Sequence, residues 1–124
     1  MRKSLTPLGD TEIEVLQHIW ELNEASVSQV HNKIMQDRQV AYTTVMTIMK
    51  NLYKKGYLTY RKEGVSYIYA PSKSKESVQS NLIKSLVRKV FQGSPSALVQ
   101  NLLQYEELTA QERREIKEMI EKME

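Results

Sequence analysis

The chain has no cysteine, so disulfides and cysteine-based redox or metal chemistry are excluded. It also lacks any apolar run approaching transmembrane length, and its N-terminus shows no charged-then-apolar signal pattern. No membrane insertion is expected, and the cytoplasm is the default location. Catalytic constellations are missing too: no phosphate loop, nucleophile elbow or paired catalytic carboxylate occurs. His18 and His31 fall on different expected helices without a partner at ligand spacing, which suits surface or half-buried positions better than a metal site. Met46, Met49, Met119 and Met123 recur at helical spacing, as packing residues do. Neither an enzyme nor a cofactor or metal site is expected.

What is present suits one compact domain, or a small domain with a helical appendage, in 124 residues. Such a core is small, and oligomerisation is a natural source of further burial. The net charge of +3 is modest, but its distribution is uneven. Residues 1–73 hold ten Lys/Arg against seven Asp/Glu, whereas residues 74–124 balance at eight each. Within 38–73, seven basic residues face Glu63 alone. That asymmetry points to a polyanion partner, with a solvated basic face as an equal alternative.

The segment Ala41–Gly56 carries the most information. On a helix, Val45, Ile48, Met49 and Leu52 share one face at i, i+3, i+4, i+7. Thr43, Thr47, Lys50 and Lys54 lie opposite, with Thr44, Met46 and Asn51 on the flanks. Threonine hydroxyls and methyls can read base edges while lysines meet phosphates, as in a DNA recognition helix. Taken alone, such a segment is more often an ordinary amphipathic surface helix. Its neighbours reverse that balance.

Upstream, a first helix is expected from Gly9 or Asp10 to Leu22, with Ile13, Leu16, Ile19 and Trp20 as its apolar face and Trp20 under the next two helices. Asn23-Glu24-Ala25 reads as a turn, and Ser26 as the cap of a second helix with Val27, Val30, Ile34 and Met35 inward. Gly56 stops the third helix. The period then changes to two. Tyr57–Lys62 and Val65–Ala70 alternate about Glu63-Gly64, a β-hairpin with a basic tip. Three helices and a two-stranded wing define a winged helix-turn-helix.

After Pro71 the pattern returns to helix. Val78, Leu82, Leu86 and Val90 form one stripe; Ser94-Pro95 opens a second helix through Leu98 and Leu102. Thr109-Ala-Gln-Glu112 is a capping box for a last helix striped by Ile116, Met119, Ile120 and Met123. Faces this broad need a partner, most simply the same segment of a second chain, or else the winged helix itself. The expected architecture is therefore mostly α with a small β-hairpin: a winged-helix DNA-binding domain over 1–73 and a helical dimerisation domain over 74–124.

Ala41-Tyr-Thr-Thr-Val-Met-Thr-Ile-Met with Leu52 and Lys55-Gly56, then Gly64-Val-Ser-Tyr-Ile-Tyr-Ala-Pro71, resembles the penicillinase and methicillin-resistance repressor family, as does Glu12–Trp20. The resemblance spans nearly the whole chain. It implies a homodimeric repressor on an inverted-repeat operator, with Thr43, Thr44, Met46 and Thr47 facing the major groove. It also implies a backbone-positioning role for the wing residues Arg61 and Lys62, beside the phosphate contacts that the helix face assigns to Lys50 and Lys54. Asn51 stands where relatives usually carry arginine. Family repressors are relieved when a sensor-linked protease cuts at a position matching Asn101-Leu102, where the best-studied members have phenylalanine after the asparagine. The copper-responsive branch carries cysteine clusters that this chain lacks, and a link to β-lactam resistance rests on the resemblance alone.

Two other functions fit a winged helix. It could dock proteins, although a docking face more often carries aromatic or large aliphatic anchors than threonines. It could also be a ligand-gated regulator, but 74–124 offers no convergent polar pocket.

Overall fold

A computed structural model describes residues 8–123. Residues 1–7 and 124 lie outside the described residues, and with them the N-terminus read above for a signal pattern. The elements run α1 (Asp10–Leu22), β1 (Ala25–Ser26), α2 (Val27–Met35), α3 (Tyr42–Lys54), β2 (Leu58–Glu63), β3 (Ser66–Pro71), α4 (Lys75–Val90), α5 (Pro95–Leu103) and α6 (Ala110–Lys122). None of these helices is long and apolar enough to cross a membrane.

The first three helices enclose the core. Val15, Leu16 and Ile19 of α1, Val27, Val30 and Ile34 of α2, and Val45, Met49 and Leu52 of α3 are all buried. Each set repeats at helical spacing, so one stripe per helix removes apolar surface from water. Local chemistry sets the helix starts. The Ser26 hydroxyl accepts the Gln29 N–H at 3.2 Å, and the Gln29 side chain accepts the Ser26 N–H at 2.8 Å, a reciprocal capping box.

Three expectations need correction here. The turn expected over Asn23-Glu24-Ala25 does not include Ala25: with the N-cap Ser26 it forms a strand pairing antiparallel with β3, so the wing belongs to a three-stranded sheet of order β1-β3-β2. Ser26 already has the extended backbone of an N-cap, and the buried, small Ala25 lets β3 approach opposite Tyr69. Trp20 is half-buried and packs against the core rather than being enclosed in it; its indole N–H donates to the Lys73 carbonyl at 3.2 Å, tying α1 to the chain leaving the wing. Met35 is exposed, beyond the buried stripe of α2.

The hairpin turns at Gly64-Val65, between the paired Glu63 and Ser66. Gly64 takes φ 60°, whereas Val65 is outside the positive-φ region. This is the sign pattern of a type II′ turn, which matches the twist of the flanking strands.

The chain divides into two compact units between Val78 and Gln79. Val78 is 3% exposed and belongs to the core of the first unit. That corrects its assignment to the dimerisation face: it shares a stripe with Leu82 and Leu86, but a different core covers it. In the second unit, α5 and α6 bury none of their described residues.

Candidate nucleic-acid interface

Burial of Val45, Met49 and Leu52 orients α3. The opposite side leaves Thr43, Thr44, Thr47, Lys50, Asn51 and Lys54 exposed, with Met46 half-buried at its edge. Lys50 and Lys54 have no charged or hydrogen-bonding partner among the described residues. At the start of α3, Ala41 supplies no side-chain cap, and the first turn contains no acidic residue. The helix therefore presents its positive end without a competing carboxylate.

Strand register then sorts the wing. Arg61 pairs with Ile68 and Lys62 with Tyr67, so alternation places Arg61 and Lys62 on opposite faces. Lys62 shares its face with Tyr60, Tyr67 and Tyr69. The Tyr60 ring meets that of Tyr53, on α3, at 4.9 Å and that of Tyr67 at 5.0 Å. The Lys62 ammonium sits 5.9 Å from the Tyr67 ring centroid. Burial, followed by the neighbouring Tyr60 and Tyr67, raises the Tyr69 phenol above its ordinary value.

Between α3 and the wing lies an open cleft of about 450 Å³. Ser26, Ser28, Tyr42, Lys50, Ser66 and Tyr67 contribute to its lining, so hydroxyl-bearing residues and one ammonium converge there. Sequence reasoning missed Ser28, Tyr42 and Tyr67. The tyrosines were legible only as strand and helix formers, because their convergence depends on how the sheet meets α3.

Several cations of the basic segment are already engaged. Arg38 pairs with Glu14, and Lys55 reaches both oxygens of Glu12 at 2.8 and 2.9 Å. Arg61 donates from Nη1 and Nη2 to Glu24 at 2.7 and 3.1 Å, and from Nε and Nη2 to Glu63 at 2.9 and 2.7 Å. Hydrogen bonding from Arg61, and then its charge, holds the Glu24 carboxyl below its ordinary value. Lys73 stacks its ammonium 5.0 Å from the Tyr57 ring centroid. Lys50, Lys54, Lys62 and Lys73 have no carboxylate partner among the described residues, and of these Lys50 and Lys54 lie on α3 and Lys62 on the wing.

Of the residues assigned to dimerisation, Leu82, Leu86, Val90, Leu102, Met119, Ile120 and Met123 are exposed, while Leu98 and Ile116 are half-buried. Asn101 and Leu102 occupy the last turn of α5, both exposed. The Gln104 and Tyr105 N–H groups close that turn onto their carbonyls.

The three helices, the sheet and the exposed face of α3 define a winged helix-turn-helix protein. Across residues 8–122 the sequence matches the model of the penicillinase repressor family. The chain belongs to that family, whose members are transcriptional repressors rather than enzymes.

It is 24% identical over 119 residues to the penicillinase repressor of Bacillus licheniformis, covering 96% of this chain and 93% of that protein. It is 35% identical over 95 residues to the transcriptional regulator BlaI of Mycobacterium tuberculosis (strain ATCC 25618 / H37Rv), covering 75% and 69% respectively. Among solved structures, the solution structure of the DNA-binding domain of the repressor BlaI matches with a TM-score of 0.52 at 27% identity, covering 56% of this chain and 85% of that one. The monomeric form of Bacillus licheniformis BlaI, solved in complex with the blaP half-operator, matches with a TM-score of 0.50 at 26% identity, covering 59% and 89%.

Proposed function

We propose that this protein is a sequence-specific DNA-binding transcriptional repressor that acts in the cytoplasm as a homodimer on an inverted-repeat operator. The observation that carries this reading is the uncovered face of α3, where threonines and unpaired lysines lie together beside the wing in a chain of this family. α3 enters the major groove. Thr43, Thr44, Met46 and Thr47 meet base edges, and Asn51 lies at the border of that face. Lys50, Lys54 and Lys62 neutralise phosphates. The cleft between α3 and the wing seats one stretch of sugar–phosphate backbone, with Ser28, Tyr42 and Tyr67 as hydroxyl donors.

Dimerisation is assigned to the region 74–124, with the first turn of α4 through Val78 going with the DNA-binding domain. The exposed leucines, isoleucines and methionines on and just after α4, α5 and α6 form apolar surface that a second copy would cover. Two recognition helices related by a dyad then read two half-sites. Occupying a promoter in this way excludes polymerase. Cutting at Asn101-Leu102 by a sensor-linked protease would separate α6 from the rest of the dimer region. The bond lies in a terminal helical turn with no buried residue, where fraying opens it to a protease. Loss of the dimer would remove avidity worth roughly 10²–10⁴ in operator affinity.

The test is a fluorescence-anisotropy titration of the full chain against a dyad duplex recovered by site selection, its half-site and a scrambled duplex, at two salt concentrations. Tight dyad binding with much weaker half-site and scramble binding is expected. Equal affinity for all three would reduce the interface to a basic surface, and absence of binding at low salt would favour a protein-docking role.

A further inference from the structure

The wing carries two adjacent basic residues, and the structure gives them different neighbours. Lys62 lies on the face of Tyr67, which lines the cleft with Lys50 and Met46 of α3. Arg61 lies on the opposite face with Ile68, across from the end of α1. There its guanidinium forks both oxygens of Glu24 and also holds one oxygen of Glu63. Four donor contacts to two carboxylates leave this cluster with a formal charge of −1, which repels a phosphate rather than attracting it.

Glu24 follows Asn23, whose φ of 71° reverses the chain after α1. Asparagine is among the few non-glycine residues that tolerate this region. Glu24 also directly precedes β1. In the sheet order β1-β3-β2, the strands next to Glu24 and bearing Arg61 are not neighbours. The ion pair therefore spans β3 and clips the outer strand of the wing to the α1–β1 turn.

We infer that Arg61 is a positioning residue and not a phosphate ligand: it braces the wing through Glu24 and Glu63, setting where Lys62 and the cleft stand relative to α3. This rests on the DNA-binding reading. Within that reading, the phosphate-contacting cations of the basic segment are Lys50, Lys54 and Lys62.

The experiment measures operator affinity of the full chain across a salt series for wild type, Lys62→Ala, Arg61→Gln, Arg61→Glu and the charge-swapped Arg61→Glu/Glu24→Arg. Each phosphate contact contributes about 0.9 to the slope of log affinity against log salt. Lys62→Ala should lose about that much. Arg61→Gln should keep the wild-type slope and weaken binding by about two- to five-fold, the range of a surface ion pair. Arg61→Glu should weaken it further, and adding Glu24→Arg should restore part of the loss, because the Glu24 half of the brace is rebuilt with its charges exchanged while Glu63 loses its cation at position 61.

A slope lowered by about 0.9 in Arg61→Gln, as for one lost phosphate contact, would overturn the inference. So would failure of the swap to rescue Arg61→Glu while both proteins keep the wild-type circular dichroism. If wild type itself shows no preference for the selected dyad over a scrambled duplex, the DNA-binding reading falls and takes the brace's role with it. That outcome is read from the wild-type titration alone.

Discussion

Glu12 and Lys55 tie the beginning of α1 to the end of α3. Both carboxylate oxygens lie within 2.9 Å of the Lys55 ammonium, and the two side chains are only 13% and 24% exposed. The same Glu12 oxygen Oε1 accepts the Gly9 N–H at 2.9 Å. One carboxylate thus caps α1 and anchors the residue that ends α3. Replacing it with glutamine keeps an acceptor but removes the charge. Glu12→Gln should lower stability by about 1–2 kcal/mol, as expected for a charge-assisted bond with limited exposure. A urea melt reads this as a lower midpoint at constant slope. An unchanged midpoint would make the contact energetically idle.

Thr47 and Lys54 lie on one exposed side of α3 but should fail differently. Thr47→Ala removes a candidate base contact, so it should relax discrimination at one operator position by about 1–3 kcal/mol. Lys54→Ala removes a proposed phosphate contact, so it should weaken operator and random DNA alike and lower the salt slope by about 0.9. Competition titrations with singly substituted operators separate the two. Unchanged preferences in Thr47→Ala would move the reading face elsewhere on the helix, and an unchanged slope in Lys54→Ala would take that lysine off the phosphate set.

Periodicity made the core and the exposed face of α3 legible together, because burying Val45, Met49 and Leu52 leaves the threonines and lysines outside. It could not say which core receives a residue. Val78 continues the stripe of Leu82 and Leu86, yet is buried in the first unit while they are exposed. Nor could it show β1, since two residues are too few to display alternation. The partners of Trp20 and Arg61 lie 53 and 37 residues away in sequence, at Lys73 and Glu24. Such pairings follow from the sheet order and have no local signature. This is why the sequence showed Arg61 as a basic wing residue without showing its carboxylate partners.

The Glu24 carboxyl titrates below its usual 4.5, chiefly because Arg61 donates hydrogen bonds to its charged form. With the folded value depressed, the contribution is fully present above the unfolded value and is lost as pH falls through the folded one. The brace should therefore be intact at neutral pH and weaken only below about pH 4.5. Carboxyl carbon shifts followed by NMR should give a Glu24 midpoint below that value in wild type and closer to it in Arg61→Gln. Equal midpoints in the two proteins would separate Glu24 from Arg61.

Ile120, on α6, is 56% exposed and is flanked by the exposed Met119 and Met123. A charge placed there should matter only if a second chain covers it. In the monomer, Ile120→Asp would exchange one solvent-facing side chain for another and cost the winged helix nothing. In a dimer it would bury an unpaired carboxylate, which costs several kcal/mol and is relieved by dissociation. The variant should therefore sediment as a monomer and keep the wild-type far-ultraviolet dichroism. Its half-site affinity should be unchanged, while the advantage of the full dyad, roughly 10²–10⁴, disappears. A variant that stays dimeric and keeps that advantage would remove α6 from the interface. Separation with an intact half-site would show that the two halves of the molecule carry separable tasks, one reading DNA and the other multiplying the affinity of that reading.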